Sequence, residues 1–303
     1  MAAQIDDLTT RASIQIPLSS HSLWVGNWAR AEQEIGEALD IYERLGDWRH
    51  WCVAAWLWPQ VLQGRGELAQ AQALWARLLA VAKRSDDTRH QVRSLGGQAF
   101  NFWAMGDHAA AQACVADVRA LLDEFPTLAP VEERLWHALA ATQAGHAGNW
   151  REAQAQTQSL LEAIERARFK FDLMEVFATA AEVRLSLFEQ QVATQAEAEA
   201  GCRAFSQYAR TYAFARPRAQ RCQARLAWLT GKQRRAHKLW RQSVAQAVAL
   251  GMPHERGATW QQMGHYLQDG ALLAQAQQVA QETGMVFVNG RSAPPSSTTD
   301  ARD

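Results

Sequence analysis

One feature constrains this chain more than any other: a glycine that recurs at a nearly fixed interval. Gly26, Gly66 and Gly106 stand 40 residues apart, Gly148 and Gly231 continue the series, and five residues after each comes an alanine, at Ala31, Ala71, Ala111, Ala153 and Ala236. The stretch from Leu45 to Gly106 holds one whole unit: an apolar-periodic run, a break at Gly66-Glu67, then an Ala-rich run. That pattern predicts two antiparallel helices per unit. A unit of this size cannot bury its apolar face alone and must stack on its neighbours, so the expected fold is all-α, a right-handed superhelical solenoid of about six to seven helix-turn-helix repeats.

The spacing has physical reasons. A glycine between the helices tolerates a turn that a side chain would obstruct, and the alanine five residues on lets the second helix lie close to its neighbour. Seven residues before each break the first helix carries another small residue: Ser19, Pro59, Ala99, Ala141 or Ala224. Nine residues after it a larger one packs, at Ile35, Trp75, Val115 and Trp240, with Thr157 as the exception. At about 16 residues each helix would be roughly 24 Å long.

Taken in order, residues 1–20 are weakly patterned, and Pro17 is expected to leave this end a frayed or incomplete first repeat. Repeats fill 21–288. The fifth lacks its glycine; a break near Gln191 would put Ala196 in the alanine position. A degenerate seventh breaks near Gly270. After Gly290 the run RSAPPSSTTDARD carries too little apolar content to fold, so 289–303 is expected to be disordered.

The 303 residues carry 31 basic and 31 acidic side chains, so no overall field draws the chain to nucleic acid or a membrane. Cys52, Cys114, Cys202 and Cys222 form no Cys-x-x-Cys pair and read as reduced, buried thiols of a cytoplasmic protein. No signal-peptide pattern opens the sequence, and no stretch of eighteen apolar residues occurs.

The Gly-x-x-x-x-Ala pattern with its small partner seven residues earlier resembles the tetratricopeptide repeat, stretched beyond its usual period. The longer period resembles the C-terminal repeat arm of large bacterial signalling proteins, in which a class III adenylate cyclase or a DNA-binding domain precedes an AAA-type ATPase and then the repeats. Leu45-Gly46-Asp47-Trp48-Arg49, Gly66-Glu67-Leu68, Ala82 to Asp87 and Ser94 to Ala99 carry the likeness, which covers about residues 20–285. It implies protein interaction or regulation of a partner, with an ATPase or cyclase domain as one such partner. The family's catalysis does not carry over. The one Gly-Lys pair, Gly231-Lys232, has Leu226 where a phosphate-binding loop needs glycine and Gln233 where it needs Ser or Thr. A HEAT-like array is the architectural alternative.

Counting back thirteen, ten, six and three residues from a break selects one face of the first helix, because 3, 4 and 3 are helical neighbour spacings. The face reads Arg93, Gly96, Phe100, Trp103 in repeat three, Arg218, Arg221, Arg225, Trp228 in repeat six, and Val53, Trp56, Gln60, Gln63 in repeat two. The functional expectation is a concave partner-binding groove in which Trp56, Gln60, Phe100, Trp103 and Trp228 supply contact area while Arg93, Arg218, Arg221 and Arg225 hold acidic groups. The bland alternative makes the aromatics inter-repeat packing and the arginines solvated. Between Glu199 and Glu255 lie eleven Lys and Arg and no acidic residue. That concentration favours an acidic protein or peptide partner over nucleic acid, for which no recognised module is present.

Catalytic and metal motifs fail on inspection. His254-Glu255 lacks the second zinc-protease histidine, Ala258 standing there, and no serine lies in Gly-x-Ser-x-Gly. The expectation is a non-catalytic interaction or regulatory scaffold, without cofactor, metal or membrane. A detached arm of an ATPase or cyclase-type enzyme and a peptide or small-molecule sensor are the alternatives.

Overall fold

The computed structural model describes residues 2–128, 130–167 and 173–287, which contain α-helices and no strand. They form seven helix pairs: α1 (Ala2–Val25) with α2 (Trp28–Leu45); α3 (Trp48–Ala55) and α4 (Trp58–Arg65) with α5 (Leu68–Arg84); α6 (Thr88–Met105) with α7 (His108–Glu124); α8 (Pro130–His146) with α9 (Trp150–Arg166); α10 (Met174–Glu189) with α11 (Gln195–Thr211); α12 (Arg216–Leu229) with α13 (Gln233–Ala249); and α14 (Pro253–Leu267) with α15 (Gly270–Thr283). In the second pair the first helix is split at Trp56-Leu57. Pro59, near the start of α4, lacks the N–H that would have bonded back across the break.

The recurrent glycines end the first helices. Gly26, Gly66, Gly106, Gly148 and Gly231 all have φ between +71° and +82°, the left-handed conformation that closes a helix. The next residue caps the following helix, and Asn27, Asp107 and Asn149 do so with their side chains. The five alanines are fully buried, as are Ile35, Trp75, Thr157 and Trp240 four residues later. Trp75 shows how tightly the pairs interlock: a Cβ on Gly97 of α6 would lie 2.4 Å from its ring.

Three expectations need correction. In the segment expected to fray, α1 runs from Ala2 through Pro17 to Val25, with Ala12, Ser19, Ser22 and Leu23 buried. Its packing on α2 outweighs the lost hydrogen bond at Pro17. In the fifth pair Gln191 does adopt positive φ (+59°), but the cap comes at Thr194, so the turn is longer. The buried alanine is therefore Ala198, and Ala196 is exposed. In the seventh pair the left-handed residue is Gln268, capped by Asp269, and Gly270 opens α15. The expected disordered segment 289–303 lies outside the described residues.

The array returns on itself. Trp28 of α2 donates Nε1–H to the carbonyl of Leu250 at 2.5 Å, across 222 positions of sequence. Trp24 meets Tyr212 and Trp28 meets Phe214 edge to face, with centroids 5.3 and 6.4 Å apart. Gly66 lies against Pro253 and Thr283, and the Val286 N–H donates to the Ala104 carbonyl at 2.8 Å. Such contacts join early and late pairs directly. Cys52, Cys114, Cys202 and Cys222 are free and buried, and no described helix is long and apolar enough to cross a membrane.

Candidate ligand chamber on the inner face

Among the helices lies a partly open cavity of about 480 Å³. Its walls come mainly from the first helices, α6, α8, α10, α12 and α14, and the segment Met285-Val286-Phe287 lies along it. Its lining mixes apolar side chains, Phe100, Trp103, Trp150, Val183 and Leu185, with polar ones, Glu175, Glu182, Arg218, Arg221, Arg225, His254, Glu255 and Tyr266. This volume and mixture suit a small-molecule site.

The polar residues form an ion-pair network. Arg218 is bidentate on Glu182, Nε and Nη2 donating at 2.9 and 2.8 Å, with Glu175 at 3.7 Å. Arg221 bridges Glu182 and Glu255, at 3.2 Å to each. Arg225 donates to Glu189 at 2.6 Å and to the Tyr266 hydroxyl at 3.0 Å, and Tyr266 donates in turn to Glu189 at 3.1 Å. Burial opposes ionisation of Glu182 and Glu255, but Arg218 and Arg221 outweigh it and hold both carboxyls below their usual range. At Glu175 burial wins over the more distant Arg218, and its carboxyl is pushed up. Burial likewise raises the Tyr266 hydroxyl to about 12.

Of the nine expected groove residues, Phe100, Trp103, Arg218, Arg221 and Arg225 line this chamber. The three arginines are committed to internal carboxylates and are not free cations. Trp56, Gln60, Arg93 and Trp228 fall outside the lining. The Arg93 guanidinium lies 5.0 Å over the buried Trp56 ring and donates to Glu132 at 3.1 Å. Gln60 is buried and donates to the Trp56 carbonyl. Trp228 joins Trp240 and Tyr266, its ring centroid 5.6 and 5.8 Å from theirs, in an aromatic cluster between the last two pairs.

Sequence reasoning missed Glu175, Glu182, His254, Glu255 and Tyr266. A signal for part of this set existed. Counting back thirteen, ten, six and three from the seventh turn at Gln268 selects Glu255, Ala258, Gln262 and His265, all in the lining; the break expected near Gly270 stands two residues beyond that turn.

Two buried polar atoms on the network have no hydrogen-bond partner among the described residues: Arg221 Nε and His254 Nδ1. His254 is 6% exposed, with Nε2 at 3.5 Å from Glu255 Oε1. Among the described residues no group of three or more His, Cys, Asp or Glu is placed to hold a metal ion. Comparison with models of known protein families finds no match, and comparison with curated proteins finds none either.

Proposed function

We propose that this chain is a non-catalytic binding module, a right-handed tetratricopeptide-like solenoid with a period of about 40 residues, that works by taking a small ligand into its central chamber. The observation that carries the reading is the chamber itself: about 480 Å³, with a lining that combines aromatic and aliphatic side chains with ion-paired ones. Its walls come from six helix pairs, the second to the seventh, so an occupant would tie early and late pairs together. A ligand that binds only the closed array stabilises it, which makes occupancy a regulatory signal for a partner. The test is native mass spectrometry of the purified protein, together with a thermal-shift screen of small molecules. A bound mass or a hit lost on filling the chamber supports the reading; no ligand from either source refutes it.

A second reading keeps the acidic protein partner but moves it outside. Lys232, Arg234, Arg235, Lys238 and Arg241 are exposed along α13 and the turn before it. An acidic partner recognised there would lose affinity on Arg234→Glu with Lys238→Glu and weaken with salt. Unchanged capture by that double variant would remove this reading.

A further inference from the structure

We propose that Met285, Val286 and Phe287 form a releasable strap, which ties the seventh helix pair to the third along the cavity and opens the cavity when it leaves. The inference rests on the chamber reading above and adds a control of entry.

The strap begins where α15 ends. Gly284 closes that helix in the left-handed conformation, φ +70°, and the next three residues run on with no helix of their own. The first anchor is a helix terminus, where the last carbonyls have no donor from within the helix. At the end of α6 the N–H groups of Gly106 and Asp107 reach Trp103 and Phe102, while the Ala104 carbonyl accepts from Val286 at 2.8 Å. Val286 also lies on the turn that follows: a Cβ on Gly106 would stand 2.9 Å from one of its methyl groups. The second anchor is on α14, where a Cβ on the buried Gly257 would stand 2.7 Å from the Phe287 ring. The segment thus seats on two glycines, one in the third pair and one in the seventh.

All three residues line the cavity, together with Ala104 of α6 and Ala258 of α14 beside the anchors. The strap is therefore part of the wall, and its departure removes that part. Little holds it. Val286 is 50% exposed, Met285 is half-buried, and neither belongs to a helix. Segments with few buried contacts and exposed backbone hydrogen bonds open at a free energy far below that of the whole fold. Entry to the chamber is then set by local release of the strap and not by parting of the helix pairs.

The test places a thiol on the wall and times its alkylation in the full chain. Ala258→Cys puts it at a half-buried lining position, and iodoacetamide at pH 8 is the probe, with the rate at each cysteine read by peptide mass. Two variants loosen the strap in this background: Val286→Pro removes the donor to Ala104, and Phe287→Ala removes the ring that lies on Gly257. The expected result is alkylation of the introduced thiol about five- to tenfold faster in each variant than with the strap intact. The rate at Cys202, which is buried and outside the lining, should stay the same. An unchanged rate at the introduced thiol in either variant would overturn the strap. Equal acceleration at Cys202 would overturn it too, since that reports loosening of the whole array. The readout needs no ligand, so either failure leaves the chamber reading to its own ligand search, and failure of that search does not alter these rates.

Discussion

Glu182→Gln and Glu175→Gln remove a carboxylate from the same wall, facing the same Arg218, yet should differ in effect. Glu182 accepts three hydrogen bonds from two guanidiniums, at 2.9, 2.8 and 3.2 Å, and its removal leaves the mostly buried Arg218 and Arg221 short of charge. Breaking a fully buried pair costs about 3–5 kcal/mol. Glu182 keeps 28% of its side-chain surface accessible, toward the chamber it lines, so about 2–4 kcal/mol is the reasoned loss. An unfolding entropy of about 2.1 cal/mol/K per residue over 303 residues gives about 0.6 kcal/mol/K, hence a fall in Tm of about 3–6 °C. Glu175 makes only the 3.7 Å contact, and burial already works against its charge, so its glutamine should stay within about 0.5 kcal/mol, or 1 °C.

The pH dependence separates the two further. Because the Glu182 carboxyl is held below its usual value of 4.5, its contribution is complete above that value and is lost as pH falls through the folded-state value. The penalty of Glu182→Gln should therefore be flat near neutrality and shrink in acid. Glu175 is raised, so wild type should gain on Glu175→Gln as pH falls through the raised value toward 4.5. Differential scanning calorimetry of the three proteins from pH 4 to 8 reads both effects. Equal losses for the two variants at neutral pH would refute this distinction between the two carboxyls.

Three other substitutions or reagents probe the packing and the chamber's edge. A Cβ on Gly201 would lie 2.1 Å from the Ala180 carbonyl oxygen, so Gly201→Ala must part α10 from α11 at about 1–3 kcal/mol, whereas Gly36→Ala, with nothing within 4 Å, should gain about 0.5–1 kcal/mol; chemical denaturation that ranks them the other way defeats the packing argument. Val286→Pro removes the N–H that bonds the Ala104 carbonyl and should make the segment around Met285 cleave faster under limited proteolysis, while an unchanged cleavage rate would mean that the bond does not hold the segment in place. Burial pushes the Cys52, Cys114 and Cys202 thiols up to about 12, 11 and 12, so a thiol-disulfide reagent at pH 8 should react slowly with the native protein and fast, at four thiols, in denaturant; fast native reaction would contradict their burial.

The helix pairs were legible because their signal is local. A glycine that must take positive φ and an alanine fully covered by the adjacent helix leave the same mark at each turn, and Gly26 through Gly231 kept it. Where the mark changed, so did the accuracy: Gln191 and Gln268 take the left-handed role without being glycine, and longer or shifted turns moved the register by two residues. Pro17 misled for a related reason, since the cost of proline in a helix is local while the packing that offsets it is not. The chamber was legible only in halves. Its arginines stood out as a run without acidic residues, but the carboxylates that neutralise them come from α10 and α14, 34 to 39 positions away. Nor does any periodicity announce that Trp28 meets Leu250; that contact depends on how the first six pairs stack in sum.

Closure of the array around the chamber is the claim on which the rest depends. It can be read by spin-label distance measurement between Ala29→Cys, beside Trp28, and Val248→Cys, beside Leu250, both at exposed positions while the native thiols are buried. A single narrow distribution at the short limit of the method is the predicted result. A broad or long distribution would show that the first and sixth pairs part in solution, and the chamber would fall with it.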